Sequence, residues 1–267
     1  MCHLSRIFAA GLLCLAGSGA ALANEDPLRS GMWDVMQDVI FDGEATVFDP
    51  NVRVIAPGFA EDNMNVPVTV DARALDGVEQ LVLFADLNPI HEIARYEPIE
   101  AEPYLSLRVK MQQGGPIRAA ARTSDGVWHV GGVFVDAAGG GCTAPATVHA
   151  NADWPDHLGE LWARSWPEGD GVQRVRMRVY HPMDTGLADG IPAFYIDDVT
   201  FTDADGDLLA RFQPREPVGE HPIVTFMLKP SAGSEALHIE GRDTDANGFE
   251  GDVPLNWKTS SLDSQLH

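Results

Sequence analysis

One cysteine follows a run of small residues near the middle of the chain. Gly139, Gly140 and Gly141 come directly before Cys142, and two alanines precede them. Glycine adopts both halves of φ space at little cost, so the three glycines are expected to form a flexible arm. A thiol on such an arm is placed to be reached by another protein. The pattern predicts that Cys142 is the working group and that the rest of the chain presents it.

Residues 1–23 have the features of a secretory signal peptide. Arg6 supplies the positive charge, residues 7–15 form a short apolar run, and an Ala-Leu-Ala cleavage sequence ends at Ala23. The apolar run is too short to span a bilayer, and no later stretch is long enough. We therefore predict cleavage after Ala23, export to the periplasm and no insertion into the membrane.

Cleavage leaves one cysteine in the mature chain. Cys2 and Cys14 lie in the predicted signal peptide, so Cys142 has no partner within the exported chain. Leu13 stands before Cys14 where a lipoprotein signal would have a small residue. Because exported compartments are usually oxidising, an unpaired thiol there favours a reactive role. The alternatives are an inert buried cysteine and a covalent dimer through Cys142.

The composition is that of a folded, strongly acidic protein. The chain has 267 residues, of which 45% are hydrophobic, and a formal net charge of -22. Its length suits one or two domains with a substantial core. Nucleic acids and anionic membranes bind basic patches, so the charge argues against both as partners and fits a soluble protein that meets basic ones.

The hydrophobic pattern before Cys142 predicts one helix followed by strands. Residues 30–41 place apolar side chains at helical spacing. From Ala45 onward the pattern is strand-like, and Val66, Val68 and Val70 alternate with other residues. Turn sequences separate the strands, and residues 75–78 (Leu-Asp-Gly-Val) predict a hairpin. Short strands at regular spacing indicate a β-sandwich.

The pattern after Cys142 predicts a linker and a second β-sandwich. Residues 143–171 are rich in polar residues, proline and glycine, and His157 to Trp166 is predicted to form a single helix. From Val172 the alternation returns, with arginines at 174, 176 and 178 on one face of a strand. The fold class expected is all-β, with two sandwich domains joined by the linker.

Two long stretches resemble a known family. VPVTVDARALDGVEQLVLFADLNPIHEIARYEP and LSLRVKMQQGGPIRAAARTSDGVWHVGGVFVDAAGGGC resemble SoxY, the thiol subunit of a periplasmic sulfur carrier. MRVYHPMDTGLADGIPAFYIDDVTFTDADGDLLARF, followed by HPIVTFMLKPSAG, resembles its partner SoxZ. Their order indicates a natural SoxY–SoxZ fusion, similar to the SoxYZ-like carriers associated with quinoprotein dehydrogenases. His181-Pro182-Met183-Asp184-Thr185-Gly186 and the glycine-tethered cysteine are the most specific motifs.

The resemblance implies a domain plan and a role for the cysteine. It implies a signal peptide at 1–23, a SoxY-like domain at 24–142, a linker at 143–171 and a SoxZ-like domain at 172–267, both domains being immunoglobulin-like β-sandwiches. Cys142 would covalently carry a small sulfur intermediate, with Gly139, Gly140 and Gly141 as the flexible arm. Since the chain continues beyond Cys142, we expect an exposed loop between the sandwiches instead of a free end.

The residues give less support to a hydrolase, a calcium site or a zinc site. A Cys/His hydrolase would use His129 or His149 as its base, but catalysis requires positioned groups and a flexible arm does not supply them. Asp243 to Gly248 matches the start of an EF-hand loop, but Pro254 stands where the bidentate glutamate belongs. The aspartates at 203, 205 and 207 lack the required glycine, so both segments are predicted hairpin turns. No histidine pair has zinc spacing, and His181 is expected to set a turn beside the first domain.

These observations predict a carrier that is not an enzyme and has no cofactor or metal. Its partners would be periplasmic redox enzymes, either Sox-type enzymes or a quinoprotein dehydrogenase with its cytochrome c. The alternative is a non-covalent binding or assembly module for a periplasmic quinoprotein dehydrogenase, in which the cysteine is not used.

Overall fold

The computed structural model describes residues 25–255, and the predicted signal peptide lies outside this range. The fold is all-β, as predicted. Within the described range the regular elements are the helix α1 (Trp33–Phe41), two short 3-10 helices (Thr147–Ala150 and Trp154–His157) and the strands β1 (Thr46–Phe48), β2 (Arg53–Ile55), β3 (Phe59–Ala60), β4 (Val66–Asp71), β5 (Val78–Ala85), β6 (Glu92–Pro98), β7 (Ala101–Val109), β8 (Gly115–Thr123), β9 (Trp128–Ala137), β10 (Leu161–Gly169), β11 (Val172–Val179), β12 (Asp184–Thr185), β13 (Ala193–Phe194), β14 (Ile196–Asp203), β15 (Leu208–Pro214), β16 (Ile223–Leu228), β17 (Ala236–Asp243) and β18 (Gly248–Pro254).

Two large sheets pack face to face. A ten-stranded sheet has the order β1-β9-β8-β5-β6-β15-β14-β17-β18, with β3 also paired to β9. A six-stranded sheet has the order β10-β11-β16-β7-β4-β2. Both contain strands from before and after Cys142. The two immunoglobulin-like sandwiches are therefore joined edge to edge.

Two strand pairs make this junction. In the ten-stranded sheet, β6 pairs antiparallel with β15, with Tyr96 opposite Phe212. In the six-stranded sheet, β7 pairs antiparallel with β16, with Ser106 opposite Thr225. The ladder hydrogen bonds of both sheets continue from one sandwich into the other, so neither sandwich has a free strand edge at this position.

The hydrophobic core also continues across the junction. Tyr96, from the first half, lies 5.4 Å from Phe226, from the second half, measured between ring centroids. Phe226 is also in contact with Phe201 at 4.6 Å and Phe212 at 5.3 Å. All four side chains are buried, and they belong to one core cluster that spans both halves.

Helix α1 confirms the helix predicted in residues 30–41. Trp33, Met36 and Phe41 are buried against the outer face of the ten-stranded sheet, where they contact Phe84 and Trp128. This second cluster explains why strands β5 and β8 are apolar over most of their length instead of alternating strictly.

Two local predictions are wrong. Residues 157–166 do not form a helix, because β10 occupies 161–169 and pairs with β11 from Leu161 opposite Val179 to Gly169 opposite Val172. Residues 75–78 do not form a hairpin, since β4 and β5 belong to different sheets and the segment crosses between them. Both errors arise where long-range strand pairing decides a local structure.

The two aspartate-rich segments form the hairpin turns that were predicted. Asp203 Oδ1 accepts hydrogen bonds from the amides of Asp205 and Asp207, between β14 and β15. Asp243 Oδ1 accepts from the amides of Asp245 and Asn247, between β17 and β18. Within residues 25–255, no group of three or more His, Cys, Asp or Glu side chains is arranged to hold a metal ion, and no helix is long and apolar enough to cross a bilayer.

Candidate functional site

Cys142 is buried in this structure, which corrects the expectation of an exposed loop. None of its surface is accessible to solvent. Its Sγ lies 3.8 Å from the carbonyl oxygen of Lys110, to which the thiol donates a weak hydrogen bond. Cys142 is the free cysteine of the described residues. The loop packs its thiol inward because partners from both sandwiches hold the surrounding backbone.

The glycines before Cys142 allow a close approach of two backbones. Gly139 and Gly140 have φ values of 102° and 89°, which disfavour residues with a side chain. A Cβ atom on Gly141 would lie 2.1 Å from the carbonyl oxygen of Asn63 and 2.7 Å from that of Met111. Any residue larger than glycine at 141 would therefore push the segment away from the sheet.

Hydrogen bonds hold this segment against the first sandwich. The amides of Gly140 and Gly141 donate to the carbonyls of Gln112 and Met111, each at 3.0 Å. The Asn63 side chain donates to the carbonyl of Gly139 at 2.8 Å. The amide of Cys142 donates to the Gln112 side chain at 3.2 Å. The arm is thus docked along the residues that follow β7.

Lys110 lies beside Cys142 and connects the two halves of the chain. Its side chain is only 2% exposed. The ammonium group donates hydrogen bonds to the backbone carbonyls of Met183 and, at 3.1 Å, Glu216. The main-chain amide of Lys110 donates to the carbonyl of Pro217 at 2.6 Å. A buried cation held by carbonyl oxygens of the second half thus lies under the docked thiol.

The motif at 181–186 supplies the other side of the site. Thr185 Oγ1 donates a 2.5 Å hydrogen bond to the carbonyl oxygen of Cys142. His181 Nδ1 accepts from the amide of Met183 at 3.0 Å, which agrees with the turn predicted for His181. Met183 has a φ of 52°, a strained value for a side chain of its size. The two motifs most specific to the resemblance are therefore in direct contact.

The chain after Cys142 is fastened to the second sandwich. His149 Nε2 lies 2.9 Å from a carboxylate oxygen of Asp184. The Glu220 carboxylate accepts hydrogen bonds from the amides of Thr147 and Val148 at 2.8 and 2.7 Å. The docked cysteine is thus held on both sides by hydrogen bonds outside the main strands.

The environment of the site disfavours ionised Cys142. Burial raises the pKa of the Cys142 thiol to about 11, and the Lys110 charge offsets only part of this effect. Burial also lowers the pKa of Lys110 to about 8, against the opposing influence of Cys142 and Asp184. At neutral pH the docked pair is therefore a neutral thiol beside an ammonium group. A neutral thiol is a poor nucleophile.

His149 and His129, the two histidines considered as a general base, are each hydrogen-bonded to a carboxylate and not to the Cys142 thiol. The ring of His149 is hydrogen-bonded to Asp184, and that of His129 to Asp49 at 2.7 Å.

The sequence did not single out Lys110, Gln112 or Asn63 as site residues, because each is an ordinary polar residue next to a strand or turn. Only their contacts with residues far along the chain mark them.

Comparison with protein families accounts for both halves. The family model described as "Sulfur oxidation protein SoxY" matches residues 36–142, and the match ends at Cys142. The model described as "Sulphur oxidation protein SoxZ" matches residues 164–254. The chain is a fusion of a SoxY domain and a SoxZ domain. SoxY and SoxZ proteins are sulfur carriers. The hydrogen bond from Thr185 to the Cys142 carbonyl connects the SoxZ domain to the residue at which the SoxY match ends.

Solved structures and curated proteins add little to this assignment. The sulfur carrier protein SoxY from Chlorobium limicola f thiosulfatophilum is 20% identical, with a TM-score of 0.35 over 40% of this chain and 96% of that one. A beta-glycosidase from Bacteroides vulgatus is 12% identical, with a TM-score of 0.24 over 76% of this chain and 24% of that one. No curated protein matches the chain.

Proposed function

We propose that this SoxY–SoxZ fusion is a periplasmic carrier that holds a small sulfur intermediate covalently on Cys142 and presents it to redox enzymes. One observation carries the proposal: the free cysteine of the described residues is the residue at which the SoxY match ends, directly after three glycines. The proposed export rests on the signal sequence that ends at Ala23.

The covalent step is a two-electron oxidation of the thiol. When Cys142 Sγ forms a bond to the sulfur atom of a sulfur anion, its proton passes to solvent and two electrons pass to the partner redox enzyme. A thiol with a pKa of about 11 does not start this reaction unaided. The chain therefore acts as a carrier and not as a catalyst, and the partner supplies the activation.

The docked thiol must become accessible before a partner can act on it. Cys142 itself is held by hydrogen bonds with Gln112, Thr185 and the Lys110 carbonyl, and the glycines before it by further hydrogen bonds; all of them involve the loop between β9 and β10. Breaking them leaves the ladders of both sheets intact. Release is therefore compatible with a folded carrier, and the three glycines would act as the arm.

Intact-mass spectrometry of the protein purified from its native host tests the proposal. We expect a mass increase located on Cys142 that is removed by a thiol reductant and is absent from Cys142→Ser. The Cys142→Ser variant should also abolish the associated sulfur oxidation. If the purified protein always carries an unmodified thiol and Cys142→Ser leaves the pathway fully active, the proposal is wrong.

A second candidate function is an assembly module for a periplasmic quinoprotein dehydrogenase in which the thiol is not used. The observation that favours it is the complete burial of Cys142. Under this alternative, Cys142→Ala would still co-purify with the dehydrogenase, and no adduct would be found on the native protein. Loss of co-purification in the variant would argue against it.

A further inference from the structure

The outer face of the six-stranded sheet carries a cluster of arginine and tryptophan side chains. We call this cluster the Arg–Trp face; its members project from two neighbouring strands, β10 and β11. They are Trp162, Arg164 and Trp166 of β10 and Arg174, Arg176 and Arg178 of β11. The chain as a whole has 18 basic and 40 acidic residues, so four arginines on adjacent strands form a local exception to its charge.

The guanidinium groups of this face stack on the indole rings. Arg178 lies over Trp162 with 5.2 Å between its guanidinium carbon and the ring centroid. Arg164 and Arg174 lie over Trp166 at 5.2 and 5.0 Å. Cation–π stacking of this kind holds the flat guanidinium groups in place while their N–H donors remain available. Trp162 is 47% exposed, which is unusual for so large an apolar side chain.

Part of this arrangement works against the stability of the fold. Arg164 stands directly opposite Arg176 in the register of β10 and β11. Like charges in this position are destabilising. Among residues 25–255, no carboxylate forms an ion pair with Arg164, Arg176 or Arg178, although Arg174 pairs with Glu168 at 3.0 Å. In a chain with so many acidic residues, uncompensated arginines indicate that their counter-charge comes from outside the chain.

The Arg–Trp face begins at the end of the sheet where Cys142 is docked. Arg178 is opposite both Trp162 and Ile223 and lies one residue before the end of β11. Its charge contributes to the lowered pKa of His221, although burial is the largest cause. The neighbouring Glu220 holds the backbone at Thr147, five residues after Cys142. A protein that covers the Arg–Trp face would therefore lie close to the thiol.

We infer that the Arg–Trp face is a docking surface for an acidic patch on a partner protein. The groove of about 260 Å³ between Trp162, Trp166 and Arg176 is shallow and mostly apolar. A neighbouring groove of about 270 Å³ beside Trp166, Arg174 and Arg176 is lined partly by polar atoms and can receive a carboxylate side chain. Tryptophan and arginine are the residues most enriched at the energetic centres of protein interfaces. A compact acidic patch fits better than nucleic acid or an anionic membrane, because the net charge of -22 repels extended polyanions beyond the edge of this small face. That the partner is the redox enzyme that loads Cys142 rests on the proposed function.

The charge complementarity can be tested with a fluorescently labelled oligoglutamate peptide. At low ionic strength we expect saturable binding by fluorescence anisotropy, which is lost at ~0.5 M salt because screening then acts over a few ångströms. The Arg164→Glu/Arg176→Glu variant should bind at least roughly tenfold more weakly. Arg242→Glu is the matched control, since Arg242 is 62% exposed on the other sheet and should change binding little.

Three outcomes of this titration would overturn the inference. The first is that the wild-type chain does not bind the peptide. The second is that Arg242→Glu weakens peptide binding as much as Arg164→Glu/Arg176→Glu does. The third is that an oligothymidylate binds more tightly than the peptide, which would indicate a nucleic-acid site. Circular dichroism checks that each variant is folded.

A second measurement connects the face to the cysteine. In a periplasmic extract of the host supplied with a sulfur anion, the rate of mass gain on Cys142 should fall about tenfold in Arg164→Glu/Arg176→Glu and remain unchanged in Arg242→Glu. If the wild-type chain gains no mass, the proposed carrier function fails while the peptide titration still decides the docking surface. If the wild-type and Arg164→Glu/Arg176→Glu chains gain mass equally fast, the face does not dock the loading enzyme.

Discussion

Burial shifts the pKa values of the Cys142 thiol and the Lys110 ammonium group in opposite directions. Burial raises the pKa of Cys142 and lowers that of Lys110, yet at neutral pH the thiol is neutral and Lys110 is still protonated. Lys110 keeps two carbonyl partners, from Met183 and Glu216, which suit its charged form. The site therefore keeps an unreactive thiol beside a cation that would stabilise a negative charge formed there.

Alkylation of Cys142 in the native protein should be slow. At pH 8 a thiol with a pKa of about 11 has a thiolate fraction roughly two orders of magnitude below that of a free cysteine. Iodoacetamide labelling, followed by mass spectrometry, should therefore be slower by at least this factor than in the urea-unfolded chain. Equal rates in the two states would contradict the docked position.

Thr185→Val tests whether the second sandwich holds the thiol in place. It removes the hydrogen bond to the Cys142 carbonyl and should speed labelling. Thr200→Val, a similar change on β14, is the control and should not.

His181 makes the stability of the protein depend on pH. Burial lowers its pKa from 6.5 to about 4, although Asp243 acts in the opposite direction. The unfolded chain therefore binds more protons between pH 4 and 6.5, and stability is lost as pH falls through this window. The loss should amount to at most about 3 kcal/mol.

Urea unfolding across that window measures this dependence. In His181→Gln the free energy of unfolding should change less steeply with pH, because the titrating group is gone. The control is Thr200→Val, which removes no titrating group and should keep the wild-type slope. Identical slopes in wild type and His181→Gln would show that His181 does not titrate in this range.

The loop that carries Cys142 depends on glycine at each position for a different reason. Gly140 needs its positive φ, but a Cβ atom there would meet open space. Gly141 has an ordinary φ, but a Cβ atom would collide with the carbonyl of Asn63. Glycine therefore serves backbone conformation at one position and close packing at the next.

Alanine substitutions should separate these two roles. Gly140→Ala should cost about 1 kcal/mol of backbone strain. Gly141→Ala should undock the segment and raise the rate of Cys142 alkylation by ~10-fold or more, since each 1.4 kcal/mol multiplies the open population by ten. The paired comparison of labelling rates is the measurement. A Gly141→Ala protein that labels as slowly as wild type would mean that the loop shifts without releasing the thiol.

The two halves of the molecule form one structural unit. Both large sheets run through the SoxY and SoxZ domains, and Tyr96 of the first packs on Phe226 of the second. Separating the two domains would break two strand ladders and expose the core that the domains share. The fusion of the two domains in one chain keeps this interface together at any concentration.

Unfolding in urea should therefore be a single transition. Tryptophan fluorescence and far-ultraviolet circular dichroism should give the same midpoint. Phe226→Ala should lower the free energy of unfolding by about 3–5 kcal/mol for the whole chain, because it opens the common core. The control is Phe134→Ala, whose side chain is 53% exposed and which should change stability little. Two separate transitions would show that the domains unfold independently.

The local pattern of the chain was enough to predict its strands, its aspartate turns and its unpaired cysteine. These features depend on neighbouring residues, on period-two alternation or on a simple count. The burial of Cys142 was not predictable, because Thr185 contacts it from 43 positions further along the chain. The same holds for β10, whose strand conformation comes from pairing with β11 and overrides the local helical pattern. The glycines before Cys142 were interpreted as a source of freedom, whereas in the folded protein they permit a close contact, because the packing partner of Gly141 is the distant Asn63.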